Sequence, residues 1–157
     1  MSRIVLTVII CFVAQINNVS ASLVCSIVPV SLHFGLINPY DLVDETMNTT
    51  ISISCTAIGI ENVRYRVNFD GGNSGDMQNR LIKHTNNTDT LTYIIAKNAN
   101  FNRILGDRTG GTRRFSKRYT IEDTTRTDNF TIYGKIPVQA GAITGYYSDM
   151  VLVTLDY

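Results

Sequence analysis

Strict alternation of apolar and polar residues in two central segments constrains the fold of this chain more than any other feature. In Thr49–Ala57, residues Ile51, Ile53 and Cys55 occupy every second position, and Thr or Ser lies between them. Val63–Phe69 repeats the pattern with larger apolar side chains. A period of two is that of a β-strand with one buried face. Both segments are therefore predicted to be strands that line a core, and no segment shows sustained helical periodicity.

Further segments have the composition of short strands separated by Gly, Asn and Asp turns. The predicted strands are Ser26–Phe34, Arg80–Lys83, Leu91–Ala96, Arg113–Ile121, Phe130–Ile136 and Tyr146–Tyr157. Because proline cannot donate a ladder hydrogen bond, Pro29 restricts the first of these to a sheet edge or a bulge. The pattern predicts an all-β chain, folded as one β-sandwich with immunoglobulin-like packing.

The last predicted strand, Tyr146–Tyr157, is the longest and has apolar residues on both faces. One face carries Val151, Val153, Leu155 and Tyr157. Apolar residues on both faces indicate a strand that is covered on both sides or one that awaits a partner.

The N-terminal 21 residues have the pattern of a secretory signal. Arg3 precedes the apolar run Ile4–Ala14, and Val19-Ser20-Ala21 supplies the small residues of a cleavage site. The run is too short for a membrane span, and nothing before it could pair with it as a buried strand. Residues 1–21 are therefore predicted to be removed, which leaves residues 22–157 as an exported domain without a membrane span.

Removal of the signal leaves two cysteines, Cys25 and Cys55. An even pair in an exported chain predicts one disulfide, which would close a loop of about thirty residues. Two free buried thiols are the alternative, and an oxidising compartment disfavours them. A metal site is not expected, because His33 and His84 are isolated in sequence and both are predicted to be solvated, His84 within a polar turn.

Motifs for enzymatic chemistry are missing from the sequence. It contains no G-x-S-x-G nucleophile motif, no phosphate loop and no dinucleotide fingerprint. The net charge of +1 does not suggest nucleic acid as a partner. The chain is predicted to be no enzyme and to need no cofactor, although paired carboxylates that converge only in space stay open as an alternative.

One segment concentrates positive charge and interleaves it with Phe115 and Tyr119. Its basic residues are Arg108, Arg113, Arg114, Lys117 and Arg118. A functional interpretation is a patch for an anionic surface such as acidic polysaccharide or lipid headgroups. The favoured interpretation is a hairpin with basic side chains outward and aromatic side chains inward.

Short motifs follow one another in order along the predicted mature chain. They are Cys25, Phe34-Gly35, Asn38-Pro39, Cys55, Tyr65, Gly71-Gly72, Arg80, Leu91, Tyr93, Gly106-Asp107, Tyr133–Pro137, Gly145–Asp149 and Val151–Tyr157. Each is weak alone, but the ordered set resembles the spore coat protein U domain, which is shared with the Csu-type subunits of archaic chaperone–usher pili. Leu105 departs from the pattern, since many relatives have Trp before the Gly-Asp pair.

The resemblance implies a pilin-like, immunoglobulin-like domain that lacks one strand. A periplasmic chaperone fills the gap, an outer-membrane usher assembles the fibre, and the N-terminal strand of a neighbouring subunit then replaces the chaperone. An incomplete sandwich exposes apolar core and unpaired backbone, and an added strand repairs both. The C-terminal strand with Val151, Val153, Leu155 and Tyr157 is the predicted site of complementation.

The expected function is that of a structural or adhesive surface protein, in a pilus or a spore-coat-like layer, that supports attachment or biofilm formation. Only Ser22–Val24 lie between the predicted signal and Cys25, whereas a donor strand needs roughly ten residues at ~3.3 Å each. This predicts a tip or non-propagating subunit, or a free-standing coat component. The alternative is a self-sufficient secreted β-sandwich that binds carbohydrate or lipid, and a secreted hydrolase is disfavoured.

Overall fold

The computed structural model describes residues 22–34, 43–139 and 141–157. The predicted signal, residues 1–21, and the Asn38-Pro39 pair lie outside these ranges. Within them the chain forms nine strands: β1 (Ser22–Ile27), β2 (Glu45–Ile58), β3 (Ile60–Phe69), β4 (Arg80–His84), β5 (Thr90–Ala96), β6 (Phe115–Glu122), β7 (Thr125–Ile136), β8 (Tyr147–Ser148) and β9 (Val153–Asp156). Short 3-10 turns lie at Gly72–Ser74 and Thr109–Gly111. Among the described residues, no helix has the length and apolar character that a membrane crossing requires.

The strands form two antiparallel sheets, which confirms the predicted all-β sandwich. One sheet has six strands in the order β1-β2-β7-β5-β4-β8, and the other has three in the order β6-β3-β9. The alternating residues of the two central segments face each other across the core. On β2, Ile51 and Ile53 are at most 1% exposed, and on β3 Val63, Tyr65 and Val67 are fully buried. The period of two therefore located the core correctly.

Strands β2 and β7 form the longest ladder of the molecule, with Glu45 opposite Ile136 at one end and Thr56 opposite Thr125 at the other. The outer face of this ladder is a row of polar pairs, and the hydroxyl oxygens of Thr56 and Thr125 lie 2.8 Å apart. The prediction began this strand at Phe130 because the residues before it are polar. Cross-strand pairs of this kind stabilise a solvated sheet face without apolar residues.

The predicted first strand, Ser26–Phe34, is wrong in its position. Strand β1 ends at Ile27, before Pro29, and the chain then continues without regular structure to Phe34. Leu32 and Phe34 instead pack over Gly134 of β7, where a Cβ atom would lie 2.2 Å from Leu32 Cδ2. Pro29 follows the end of the β1–β2 ladder. Because Gly134 has no side chain, Leu32 and Phe34 can pack against the core at this position.

The predicted C-terminal strand, Tyr146–Tyr157, is not continuous. Strand β8 pairs with β4 in the six-stranded sheet, whereas β9 pairs with β3 in the other sheet, so the chain crosses between the two sheets. Two carboxylates replace the strand ladder at the crossover. The Met150 amide donates to Asp149 Oδ1 at 2.8 Å, and the Leu152 amide donates to Asp70 Oδ1 at 2.9 Å. The longest strand is β2, with 14 residues.

Candidate strand-acceptor site

One side of the sandwich is bordered by two strands that do not pair with each other. Strand β1 is the edge of the six-stranded sheet and β9 is an edge of the three-stranded sheet. The two edges lie on the same side, where β1 contacts β9. We call this the acceptor side and define it by five residues: Leu23, Ile27, Val151, Val153 and Leu155.

The acceptor side leaves apolar core incompletely covered. All five of its defining side chains pack against the buried core, but all five stay partly exposed. By comparison, Ile53 and Val67 in the middle of the two sheets are fully buried. An additional strand would cover apolar area of this kind, which faces inward but stays accessible to solvent.

No charged side chain lies in the strands' inward rows on this side. Strand β1 consists of Ser, Leu, Val, Cys, Ser and Ile. The acidic residue of β9, Asp156, is on the outer face, where its carboxylate accepts a hydrogen bond of 2.8 Å from Asn68. Charged residues are a common protection of sheet edges against pairing, and these two edges have none directed inward.

A disulfide fixes β1 in its place. Cys25 and Cys55 are directly opposite each other in the β1–β2 ladder, and their sulfurs are bonded, which confirms the predicted pair. Ser22, Leu23 and Val24, which the sequence placed ahead of the first strand, form the first half of β1 and pair with β2.

A buried arginine holds the loop that positions β9. Arg80 is fully buried, and its guanidinium donates to the carbonyl oxygens of Asp70 (2.9 and 2.6 Å), Met77 (2.6 Å) and Leu105 (2.9 Å). Burial lowers the pKa of this guanidinium. Three carbonyls from separate turns converge on one side chain, so Arg80 ties together the loops at this end of the sandwich.

Asp70 connects the loop held by Arg80 to the start of β9. Its amide donates to the Leu152 carbonyl at 3.1 Å, and its carboxylate accepts from the Leu152 amide at 2.9 Å. The next residue along the chain, Val153, begins β9. Arg80 and Asp70 therefore set where the second edge of the acceptor side starts.

Asp149 anchors the other end of the crossover. Its carboxylate accepts from the Asn73 amide at 2.7 Å and from the Tyr93 hydroxyl at 2.5 Å. Burial and then the bond to Asp149 raise the pKa of Tyr93. Gly72 has φ +57°, and a Cβ there would lie 2.1 Å from the Asp149 carboxylate. The motif residues Gly72, Tyr93 and Asp149 thus form one structural network, a relation that the sequence alone did not reveal.

The predicted complementation residues divide into two groups. Val151, Val153 and Leu155 line the acceptor side. Tyr157 lies beyond the end of β9 and is 57% exposed. Leu23 and Ile27 on β1 were missed as site residues. Their alternation around Cys25 was a usable signal, but Pro29 drew the predicted strand toward the residues that follow.

The opposite side of the sandwich, between β6 and the first half of β7, is also open. In the described residues, β7 pairs with β5 through Tyr133–Lys135, so its earlier part has β2 as its strand partner. The inward residues here include the aromatic side chains of Phe115, Tyr119 and Phe130, and the rings of Phe115 and Phe130 stack at 4.5 Å. We call this the guarded side, because cations lie over its rings: Lys97 over Phe115 at 5.2 Å, Lys117 over Phe130 at 5.9 Å and Arg126 over Tyr119 at 4.1 Å.

The basic residues that the sequence grouped as one patch are distributed over different surfaces. Lys117 is in the inward row of β6, over the Phe130 ring. Arg118 is on the outer face, directly opposite Arg64 of β3. Arg113 precedes β6, and Arg114 donates a long bond of 3.5 Å to Asn68. Anion binding by the four predicted residues stays a prediction, and the structure does not bring them together.

The two histidines lie far from one another. His33 is exposed, whereas His84 is the last residue of β4 and packs edge-on against Tyr147 at 5.0 Å, which corrects its prediction as a solvated turn residue. In the described ranges, no three potential metal ligands cluster.

Two of three comparisons relate this chain to known proteins. The model of the family described as Spore Coat Protein U domain matches residues 11–154. A comparison with curated proteins found no match. A similar solved chain is in the crystal structure of the CsuC–CsuE chaperone–tip adhesion subunit pre-assembly complex from archaic chaperone–usher Csu pili of Acinetobacter baumannii, with 23% identity and a TM-score of 0.59.

That match covers 86% of this chain and 40% of the solved chain, so the present chain spans less than half of the length of the protein that it resembles. At this identity the likeness establishes a common fold. The family match extends over most of the sequence, and the chain belongs to the spore coat protein U domain family.

Proposed function

We propose that this chain is a structural subunit of a chaperone–usher surface fibre and that it receives a β-strand from another molecule at the acceptor side. The observation that carries the proposal is the uncharged, partly exposed apolar row between two unpaired edges. A strand placed there would pair with backbone at an edge and cover the row with its own side chains.

The affinity for such a strand would come mainly from apolar burial. Each added backbone hydrogen bond contributes only about 1 kcal/mol net. Full burial of one Val, Leu or Ile side chain contributes about 1.5–3 kcal/mol. The acceptor side presents five such side chains, which are already partly buried. The incoming strand should therefore be selected by alternate apolar residues that fill this row.

The proposal includes the partners of this assembly route. A periplasmic chaperone would occupy the acceptor side first, an outer-membrane usher would release it, and a strand of another subunit would replace it. The family match and the fold of the solved chaperone–subunit complex support this sequence of partners. Export by residues 1–21 and cell-surface localisation belong to the same proposal, as does a structural role without enzymatic activity.

The test compares two variants of one strand. The oxidised mature chain, residues 22–157, is melted with and without a synthetic peptide of about ten residues that has apolar side chains at alternate positions. We expect the peptide to raise the Tm of the wild type and of Thr154→Asp, whose side chain is on the outer face of β9. Leu155→Asp, one residue away and inward, should lose this response.

A heat-resistant monomer that ignores the peptide in all three forms would contradict the proposal. That result would favour the alternative of a self-sufficient sandwich that binds carbohydrate or lipid. The position of the chain in a fibre, and any contribution to attachment or biofilm formation, stay predictions from the sequence.

A further inference from the structure

Two arginines face each other on the outer surface of the three-stranded sheet. Arg64 of β3 is directly opposite Arg118 of β6 in the antiparallel register. Arg66 lies two residues further along the same face of β3. Like charges directly opposite on neighbouring strands destabilise a sheet, so this arrangement has a cost that the fold alone does not require.

Acidic groups of the described residues do not neutralise this pair. The salt bridges found there join Arg126 to Asp128 and Lys135 to Asp44. On the same face, Glu122 is opposite Ile60 at the far end of the ladder. Asp156 is opposite Arg66, and among the described residues it forms no salt bridge with Arg64 or Arg118. The two guanidinium groups thus have charge available for an anion from outside the chain.

The pair borders an open cavity of about 420 Å³. The lining residues are Asn62, Val63, Arg64, Arg118, Tyr119 and Thr120. The lining is mostly apolar, and Asn62 and Thr120, joined by a side-chain hydrogen bond of 2.9 Å, add an amide and a hydroxyl group beside the arginines. Planar guanidinium groups bind carboxylate and sulfate groups through paired hydrogen bonds.

We propose that this cavity binds the carboxylate or sulfate groups of an acidic polysaccharide, with Arg64 and Arg118 as the anion ligands. The amide and hydroxyl groups beside them suit the hydroxyls of a sugar ring. An anionic membrane fits less well, because the most exposed of the large hydrophobic side chains, Tyr146 and Met150 (85% and 86% exposed), lie around β8 and the crossover. Ile60 is an isolated exposed apolar residue on this face.

The experiment measures binding of the mature chain to polygalacturonate and to heparin, with dextran as the neutral polysaccharide. The variant is Arg64→Ser/Arg118→Ser. The matched control is Arg113→Ser/Arg114→Ser, which removes the same amount of charge at positions that do not line the cavity. We expect the cavity variant to weaken binding at least tenfold and the control to stay within about threefold. Binding should also weaken as salt is raised.

Three binding results would each overturn this proposal: no binding by the wild type, equal losses in the two variants, or binding to phosphatidylglycerol vesicles without binding to either acidic polysaccharide. A separate measurement, the Tm of the variant, shows whether a loss of binding is caused by a loss of stability. Because the Arg64→Ser/Arg118→Ser variant removes a repulsive pair, its Tm at low salt should equal or exceed that of the wild type. A lower Tm would mean that the two side chains stabilise the sheet and that the site was misassigned.

Discussion

The acceptor side and the guarded side of the sandwich are both open, but they differ in what covers their inward residues. On the guarded side, Lys97, Lys117 and Arg126 lie over aromatic rings. On the acceptor side the inward residues are aliphatic, and within the described residues the inward rows of β1 and β9 carry no charged side chain. Cationic side chains at an edge oppose pairing with another strand. An open side therefore does not by itself define a docking edge, and the proposed acceptor is the side whose inward rows carry no charge.

The largest expected effect comes from removing the buried link behind the acceptor side. Arg80→Met keeps most of the volume but leaves three carbonyl groups without their donor, the Leu105 carbonyl in the buried core and those of Asp70 and Met77 partly buried. At about 1–3 kcal/mol for each unsatisfied group, the free energy of unfolding should fall by about 5 kcal/mol. Chemical denaturation measures this change, with the exposed Arg113→Met as the control. A loss below about 1 kcal/mol would show that Arg80 does not hold the loops together.

Removing the disulfide should affect the acceptor side more than the guarded side. In the chain-entropy model, the Cys25→Ser/Cys55→Ser variant loses about 3–4 kcal/mol, because the sequence separation of the cysteines is 30. Hydrogen exchange of β1 amides should increase strongly, whereas the aromatic signals of Phe115 and Phe130 should keep their positions. If the aromatic signals of the guarded side changed as much as the hydrogen exchange of β1, the disulfide would not act on the acceptor side alone.

Removing cations from the guarded side should allow this edge to pair with another copy of the chain. Lys97→Leu/Lys117→Leu removes two cation–aromatic contacts, each worth about 0.5–1 kcal/mol at exposed sites. We expect a stability loss of about 1 kcal/mol and concentration-dependent self-association in sedimentation experiments. Arg103→Leu, an exposed change in the same region, is the control. A variant that sediments as wild type would show that charge is not what keeps this edge unpaired.

The smallest expected effect concerns β8, the other edge strand of the six-stranded sheet. The Tyr147 hydroxyl bonds to Asp89, and burial followed by this bond raises the pKa of Tyr147 from 10.0 to about 12. A phenol whose pKa is raised by folding stabilises the fold below pH 10, and this stability is lost as the pH rises through 12. The Tm of the wild type should therefore fall more between pH 10 and 12 than the Tm of Tyr147→Phe. Parallel curves would exclude the contribution.

The strands that were predictable from sequence are those with one face in the core and the other in solvent. Strands β2 and β3 alternate because one face of each is buried, and their inward residues were identified correctly. The first half of β7 was missed because polar cross-strand pairs, such as Ser54 with Thr127, replace the apolar signal. The acceptor edge was half predicted, since Leu155 and Val153 were identified but Leu23 was not.

The C-terminal crossover shows why local pattern fails at other places. Its apolar residues have the period of a strand, yet Asp149 and Asp70 bind the amides that a ladder would use. Asp70 lies far from this segment in sequence, and no local pattern encodes the contact. The pairing of Arg64 with Arg118 is missed for the same reason, because strand register is a property of the whole sheet.

The position of the disulfide has a mechanical consequence. Cys25 and Cys55 join the outermost strand to β2, which is itself paired with β7 from Glu45 to Thr56. In a fibre joined by complementation at β1, a pulling force would act on that strand first. The disulfide would transmit this load to the β2–β7 ladder, the longest in the molecule. Detachment of β1 would then require several strands to shear together, because β1 could not separate from the sheet edge one hydrogen bond at a time.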